Sequence, residues 1–317
     1  MLFGLLSVVW GLPYLFIRVA VEHLDPAVVV GVRTALAAVV LLPFAVRGRM
    51  LRPVLARWPW VLAFAVVEIV VPFWLLTWAE LRLTSSLTGL LVAAVPLLAA
   101  VLGVLLRLPD RIRPGVADDR RRLLGLLVGV AGVAALVGVD LRGGDLVAAL
   151  AVLGAAFGYA VGPVLVARRL GDLPGLGLTL VAMGVTALGY LPWTIARWPS
   201  GADRSVPWRA WASVAALGVV CSAVAFLLFF ALIAEVGPGR TTVITYLNPV
   251  VAAALGVGLL DERVTAGMLV GFPLVLLGSW LATRRSRGVT AGDPPAPTRG
   301  RGRRRPPRGP ATAAPRP

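Results

Sequence analysis

The 317-residue chain is 58% apolar and 15% charged, with a mean hydropathy of +0.87, against roughly half apolar and a quarter charged in an ordinary soluble domain. A soluble globular fold is excluded. The net charge of +16 comes from 31 basic residues, all arginine; they cluster between apolar segments and in the tail, which points to membrane topology rather than a nucleic-acid surface. One cysteine and one histidine exclude a disulfide framework and a zinc or haem ligand set, so neither a metal nor any other cofactor is expected.

Ten apolar stretches are predicted to cross a membrane as helices: residues 2–17, 26–46, 58–78, 83–106, 123–139, 146–166, 176–195, 208–234, 241–260 and 264–282. Several reach the roughly 20 residues that a hydrocarbon core of about 30 Å requires. The first has no basic amino-terminal region and no small-residue cleavage site, so it reads as a membrane helix and not a signal peptide. It carries Trp10 and Tyr14, which can line a cavity or sit in an interfacial belt, and ends at Arg18, expected to snorkel to the interface. Arg33 in the second span can meet a substrate carboxylate, pair with Glu68, or serve structure alone.

Glu68 is the most informative single residue. It lies near the middle of the third span, where an ionised carboxylate costs several kcal/mol unless paired or protonated. It is either a proton-coupling or amine-binding site, or a structural hydrogen-bonding group. Trp74 follows in the same span and Tyr159 lies in the sixth, each with a cavity-lining and a packing alternative.

In the fourth span, residues 96–104 read PLLAAVLGV; in the ninth, residues 249–257 read PVVAAALGV, matching at six of nine positions. Downstream, GLLVG at 125–129 is echoed by GMLVG at 267–271. The chain is therefore read as two related halves, 1–139 and 140–283, followed by an Arg- and Pro-rich tail, 284–317, too polar to bury a core. Five spans separate the copies, an odd number, so the halves are inverted. Pro96 and Pro249 each remove a backbone donor and loosen their helices. Tyr246 and Asn248 precede only the second proline, and Asn248 serves either the pathway or helix-to-helix bonding.

Glycines at 125/129, 154/158/162 and 267/271 put small residues four apart on one helix face, for packing within the monomer or for a homodimer. With both termini cytoplasmic, the inner connections and tail hold 23 arginines and the outer connections seven, or thirteen against seven without the tail.

Trp10-Gly11 with Arg18, Arg33, and the segments PLLAAVLGVLL and NPVVAAALGVGLLDE, the last closing on Leu259, Leu260 and Glu262, resemble the EamA family of the drug/metabolite transporter superfamily. The likeness runs to about residue 282. It implies an all-α membrane protein of ten transmembrane helices in two inverted five-helix repeats, and a secondary transporter of amino acids, other small metabolites or drug-like compounds that needs no cofactor. The chain departs from the pattern in its short amino terminus, in Arg107-Leu108-Pro109-Asp110 at the end of the first copy, and in Glu68 where a small residue is more usual.

The site is then expected at the midplane between the halves, lined by the first, third, fourth, sixth, eighth and ninth spans. Rocking of the halves would give alternating access, efflux would be favoured, and proton coupling would run through Glu68. A lipid or lipid-carrier flippase or scramblase, or a non-transporting structural or regulatory membrane protein, are the alternative readings. An enzyme is not expected, since His-Glu-x-x-His, Gly-x-Ser-x-Gly and a Walker lysine are all missing from the sequence.

Overall fold

The computed structural model describes residues 2–106, 119–138, 145–200, 205–236 and 244–283, without the side chains of residues 119 and 245. The basic loop at 107–118, the start of the ninth span and the tail lie outside the described residues.

Among the described residues, besides a short helix at Leu51–Leu55, ten longer helices make up the fold: α1 (Leu2–Val21), α2 (Pro26–Arg47), α3 (Trp58–Ala79), α4 (Ser85–Leu105), α5 (Asp119–Gly138), α6 (Asp145–Leu170), α7 (Gly175–Ala196), α8 (Trp208–Val236), α9 (Ile244–Leu259) and α10 (Ala266–Thr283). Among the described residues, nine are long and apolar enough to cross a membrane, α9 is a shorter apolar helix, and no strand occurs. Helices are the natural outcome, because hydrocarbon offers no partner for a free backbone N–H or C=O.

The packing has an internal two-fold relation. Helix α2 packs on α7 and α5 on α10, each with its own counterpart, while α1 packs on α8 and α9 as α6 packs on α3 and α4. Residues of the same type recur at related places. Thr34 of α2 and Thr186 of α7, in the matching sequences RTALA and VTALG, are both fully buried, and each donates its hydroxyl to the carbonyl four residues back, Val30 at 2.7 Å and Ala182 at 2.8 Å.

The glycine faces explain how α5 and α10 approach so closely. A methyl group on Gly125 would meet the Gly278 carbonyl at 2.7 Å, one on Gly132 the Gly271 carbonyl at 2.7 Å, and one on Gly278 would overlap the backbone of Gly129. These small residues of α5 and α10 therefore face each other within one chain.

Helix starts are set by side-chain caps. Asp25 accepts from the Ala27 amide at 2.9 Å before α2, with Pro26 at the first helical position. Thr84 accepts from the Leu87 amide at 3.2 Å before α4. Helix α4 then breaks between Val92 and Val95, just before Pro96, whereas α9 runs unbroken through Pro249. The paired prolines thus differ, since only Pro96 stands at an interruption.

At the end of the bundle carrying the α2–α3 and α6–α7 connections, Arg57 donates to both carboxylate oxygens of Asp172, at 2.6 and 2.7 Å. That hydrogen bonding holds the exposed Asp172 carboxyl below its ordinary range. The pair therefore survives acidification until pH falls through that lowered value.

Replacing Gly278 by leucine should force α5 and α10 apart and cost about 1–3 kcal/mol, the usual range for overpacking; a lowered melting temperature in detergent is the readout, with Gly184→Leu, where a Cβ meets nothing within 4 Å, as the tolerated control.

Candidate functional site

Two of the spanning helices carry a widened turn at equivalent places. In α3 the π-helical turn covers Val66–Val70, and in α8 it covers Val219–Val224. Their starts lie 153 positions apart, the offset that also separates Pro96 from Pro249. Such turns leave backbone groups off the regular ladder and are frequent at functional sites. Glu68 is the central residue of the first; its counterpart in the second is Cys221.

Helix α6 supplies the floor of the α3 turn. A side chain at Gly158 would collide with the Val67 carbonyl, and one at Gly162 with Oε2 of Glu68. The 154/158/162 glycine row therefore exists where α6 must fit the bulged backbone and the carboxylate. Oε2 of Glu68 is buried without a hydrogen-bond partner. Tyr190 of α7 donates to the Val70 carbonyl at 3.1 Å, and Trp74 stacks on the Tyr190 ring with centroids 5.9 Å apart.

The α8 turn holds Arg33. Arg33 is buried, with 6% of the residue exposed; its Nε donates to Ser222 Oγ at 3.1 Å, and its guanidinium carbon lies 3.9 Å from the centre of the Phe73 ring. Ser222 in turn donates to the Leu217 carbonyl, five residues back, at 2.8 Å, as the wide turn permits. The salt bridge to Glu68 that the sequence allowed does not form. Arg33 is satisfied instead by a hydroxyl and an aromatic face, which leaves the Glu68 carboxylate without a cation on it.

Tyr14 of α1 is buried and Tyr159 of α6 half-buried; with Arg33 of α2 and Glu68 of α3 they make a polar candidate set spread over four helices. The other candidates fall elsewhere. Trp10 packs against Phe226 and Phe229 of α8, with centroids 6.0 and 5.0 Å away. Tyr246 shares a 3.0 Å hydrogen bond with Thr283 of α10. Asn248, with its amide nitrogen turned to the acceptors, donates to the Ser7 carbonyl of α1 at 3.2 Å and to the Ile244 carbonyl at 3.0 Å. Both of these residues bind helix to helix.

At one end of the bundle a second polar group appears that the sequence did not single out. Glu80, at the end of α3, is fully buried, and neither carboxylate oxygen has a hydrogen-bond partner. Arg18 was expected to snorkel outward, but it turns in and donates to the Glu80 backbone carbonyl at 2.7 Å. Glu262, from the α9–α10 connection, accepts from the Ser85 amide at 2.7 Å and the Ser86 amide at 2.9 Å, capping α4 of the opposite repeat. Asp261 adopts a left-handed backbone (φ 54°) immediately before it. Ser222, Tyr190 and Glu80 all escaped sequence reading, because hydroxyls and chain-end carboxylates occur in most membrane proteins. The acidic residue so close to the end of an apolar span was the one available signal for Glu80.

Two clefts open at the ends of the bundle. One of about 510 Å³ is lined by residues that include Glu22, His23, Asp25 and Arg197, and another of about 450 Å³ by residues that include Arg57, Trp60 and Arg168. Each lies between a connection of the first repeat and a segment of the second, and neither is lined by Glu68 or Arg33.

Ser222→Ala should strand the buried Arg33 Nε and destabilise the protein by about 1–3 kcal/mol, whereas Ser222→Thr, which keeps the hydroxyl, should hold the melting temperature near that of the parent.

The sequence model of the EamA-like transporter family matches the chain twice, over residues 1–138 and 146–284. The uncharacterized inner membrane transporter YedA of Escherichia coli K12 is 29% identical over 287 residues, covering 87% of this chain and 90% of that protein. The uncharacterized transporter YvbV of Bacillus subtilis 168 is 24% identical over 92% of this chain and 93% of its own. A probable amino-acid metabolite efflux pump of Salmonella typhimurium LT2 is 22% identical over 87% and 92%. A solved crystal structure shares the fold, with a TM-score of 0.62 at 21% identity over 89% of this chain and 95% of that one. With two family matches that together span nearly all of the ten-helix bundle, the chain belongs to the EamA-like transporter family.

Proposed function

We propose that the protein is a secondary transporter that moves a small metabolite across the inner membrane by alternating access, in the direction of efflux, with Glu68 as its proton-coupling group. The observation that carries this reading is Glu68 itself. It is a carboxylate at the centre of a widened turn in mid-span, with one oxygen buried and unpartnered and no cation paired to it. Such a group favours its neutral form while enclosed and releases its proton when water reaches it. Alternating exposure would then couple proton flow to substrate movement.

The substrate class is an amino acid, an amine, an organic acid or a drug-like compound. The Salmonella relative's name, a probable amino-acid metabolite efflux pump, supports export of the first, and the name of YedA supports an inner-membrane location. Arg33 with Tyr14 and Tyr159 offers donors to a carboxylate, and Glu68 an acceptor for an amine, so a zwitterion suits the constellation. The excess of arginine on one side supports cytoplasmic amino and carboxyl termini. Residues 1–139 and 140–283 would act as the two rocking halves of one chain, with 284–317 as a cytoplasmic tail. The work is transport and not catalysis, and no cofactor or metal is invoked.

In proteoliposomes, uptake or release of a labelled amino-acid panel should follow an imposed pH gradient in the parent protein and lose that response in Glu68→Gln. Unchanged gradient-driven transport by Glu68→Gln would overturn proton coupling at this residue. Absence of transport of the whole panel by the parent would overturn amino acids as the substrate and leave amines, organic acids and drug-like compounds to be assayed in the same vesicles.

A further inference from the structure

The end of the bundle that carries Glu262 is the outer end in the proposed orientation, and there one contact joins the two repeats. Glu262 of the second half caps α4 of the first through the amides of Ser85 and Ser86. Beneath this cap lie two buried groups without partners: both carboxylate oxygens of Glu80 and the hydroxyl of Ser85. Both residues are fully buried. Ser85 Oγ converges with Ser86 Oγ and Glu262 Oε2 on the face of Gly256, where even a methyl group would not fit.

Glu80 is faced by charged or titratable groups from three other segments: Tyr14 and Arg18 of α1, Arg33 of α2, and Glu262 of the α9–α10 connection. The cations make their hydrogen bonds elsewhere. Arg18 donates to the backbone carbonyl of Glu80 rather than to its carboxylate, and Arg33 is engaged by Ser222 and Phe73. An enclosed carboxylate with no donor, beside a second carboxylate, is stable as the neutral acid. Once water enters, hydration and the two nearby guanidiniums favour the anion. The two states of this end of the bundle therefore differ in their affinity for one proton.

We propose that Glu80 is a proton-binding catch on the outer seal: it holds a proton while Glu262 caps α4, and its ionisation favours the opened seal. The sign follows directly. The closed form binds the proton more tightly, so acid favours closure and rising pH favours opening. The inference rests on the alternating-access reading, but its test needs no substrate and no transport.

Cys221 is the one cysteine in the chain, so Cys221→Ser gives a background in which Ser85→Cys reports on the seal. Its rate of reaction with a polar maleimide, in purified protein in nanodiscs, is divided by that of the exposed Leu81→Cys to remove the thiol's own pH dependence. Between pH 5 and 8 the ratio should rise about tenfold, the effect of one linked proton on a two-state opening. Glu80→Gln should hold it at the low, acid value throughout, and Glu262→Gln, with a weakened cap, should raise it at every pH while keeping the slope. Ser86→Cys serves as a second reporter if Ser85→Cys does not fold. A ratio that is flat in the parent, or a slope that persists in Glu80→Gln, would overturn the proposal. Either result would leave the proteoliposome test of transport untouched.

Discussion

A carboxylate in the middle of a membrane helix has no water to hold its charge, and the rest of this structure is arranged around that constraint at Glu68. The turn that carries it is widened, which takes the local backbone out of the regular ladder and asks neighbours to fill in. Tyr190 answers one carbonyl with its hydroxyl, and the glycines of α6 leave room for another carbonyl and for the carboxylate itself. Any larger residue at 158 or 162 would drive α6 off α3. The small-residue row on α6 thus fits the acid on α3, and the close contact between the two repeats at this place follows from both.

The same scaffold occurs twice, but its chemistry does not. Each repeat has a widened turn at the equivalent place, and each has a back-bonded threonine on the helix that pairs with its own counterpart. Glu68 faces Cys221 across this relation, and Arg33 faces Val185. Both charges therefore belong to the first repeat, while the second repeat supplies the hydroxyl of Ser222 that holds the arginine. Duplication provides two geometrically similar bulges that can move against one another. Divergence gives one of them a titratable group and the other a socket for its neighbour's cation.

Much of this was legible in the residues. The duplicated proline segments and the odd number of spans between them gave the inverted repeats, and hydropathy gave ten helices because a run of apolar residues has one stable form in hydrocarbon. The glycine spacings pointed to close helix contacts, and the structure puts the α5 and α10 sets face to face. Contacts were harder to read. Arg33 and Glu68 look like an ion pair on paper, yet the guanidinium is drawn to Ser222 and Phe73, residues 189 and 40 positions away. Tyr246 and Asn248 sit beside a helix proline and suggest a pathway, but both are used to tie α9 to its neighbours. Nothing local distinguishes a π-helical turn from an α-helical one in VVEIV, since the extra residue is accommodated by tertiary packing.

The cap at Glu262 shows how a gate can be built from an element every helix already has. The first amides of a helix lack internal partners and carry a partial positive charge, so a carboxylate from another segment can satisfy them at close range. Here that carboxylate comes from the opposite repeat, and the bond exists only while the two halves meet at this end. Separation costs no break in either helix, because water can replace the carboxylate at the exposed amides. Glu80, five residues before Ser85, is buried with no partner for its carboxylate oxygens. A seal held by a helix cap is strong when dry and weak when wet.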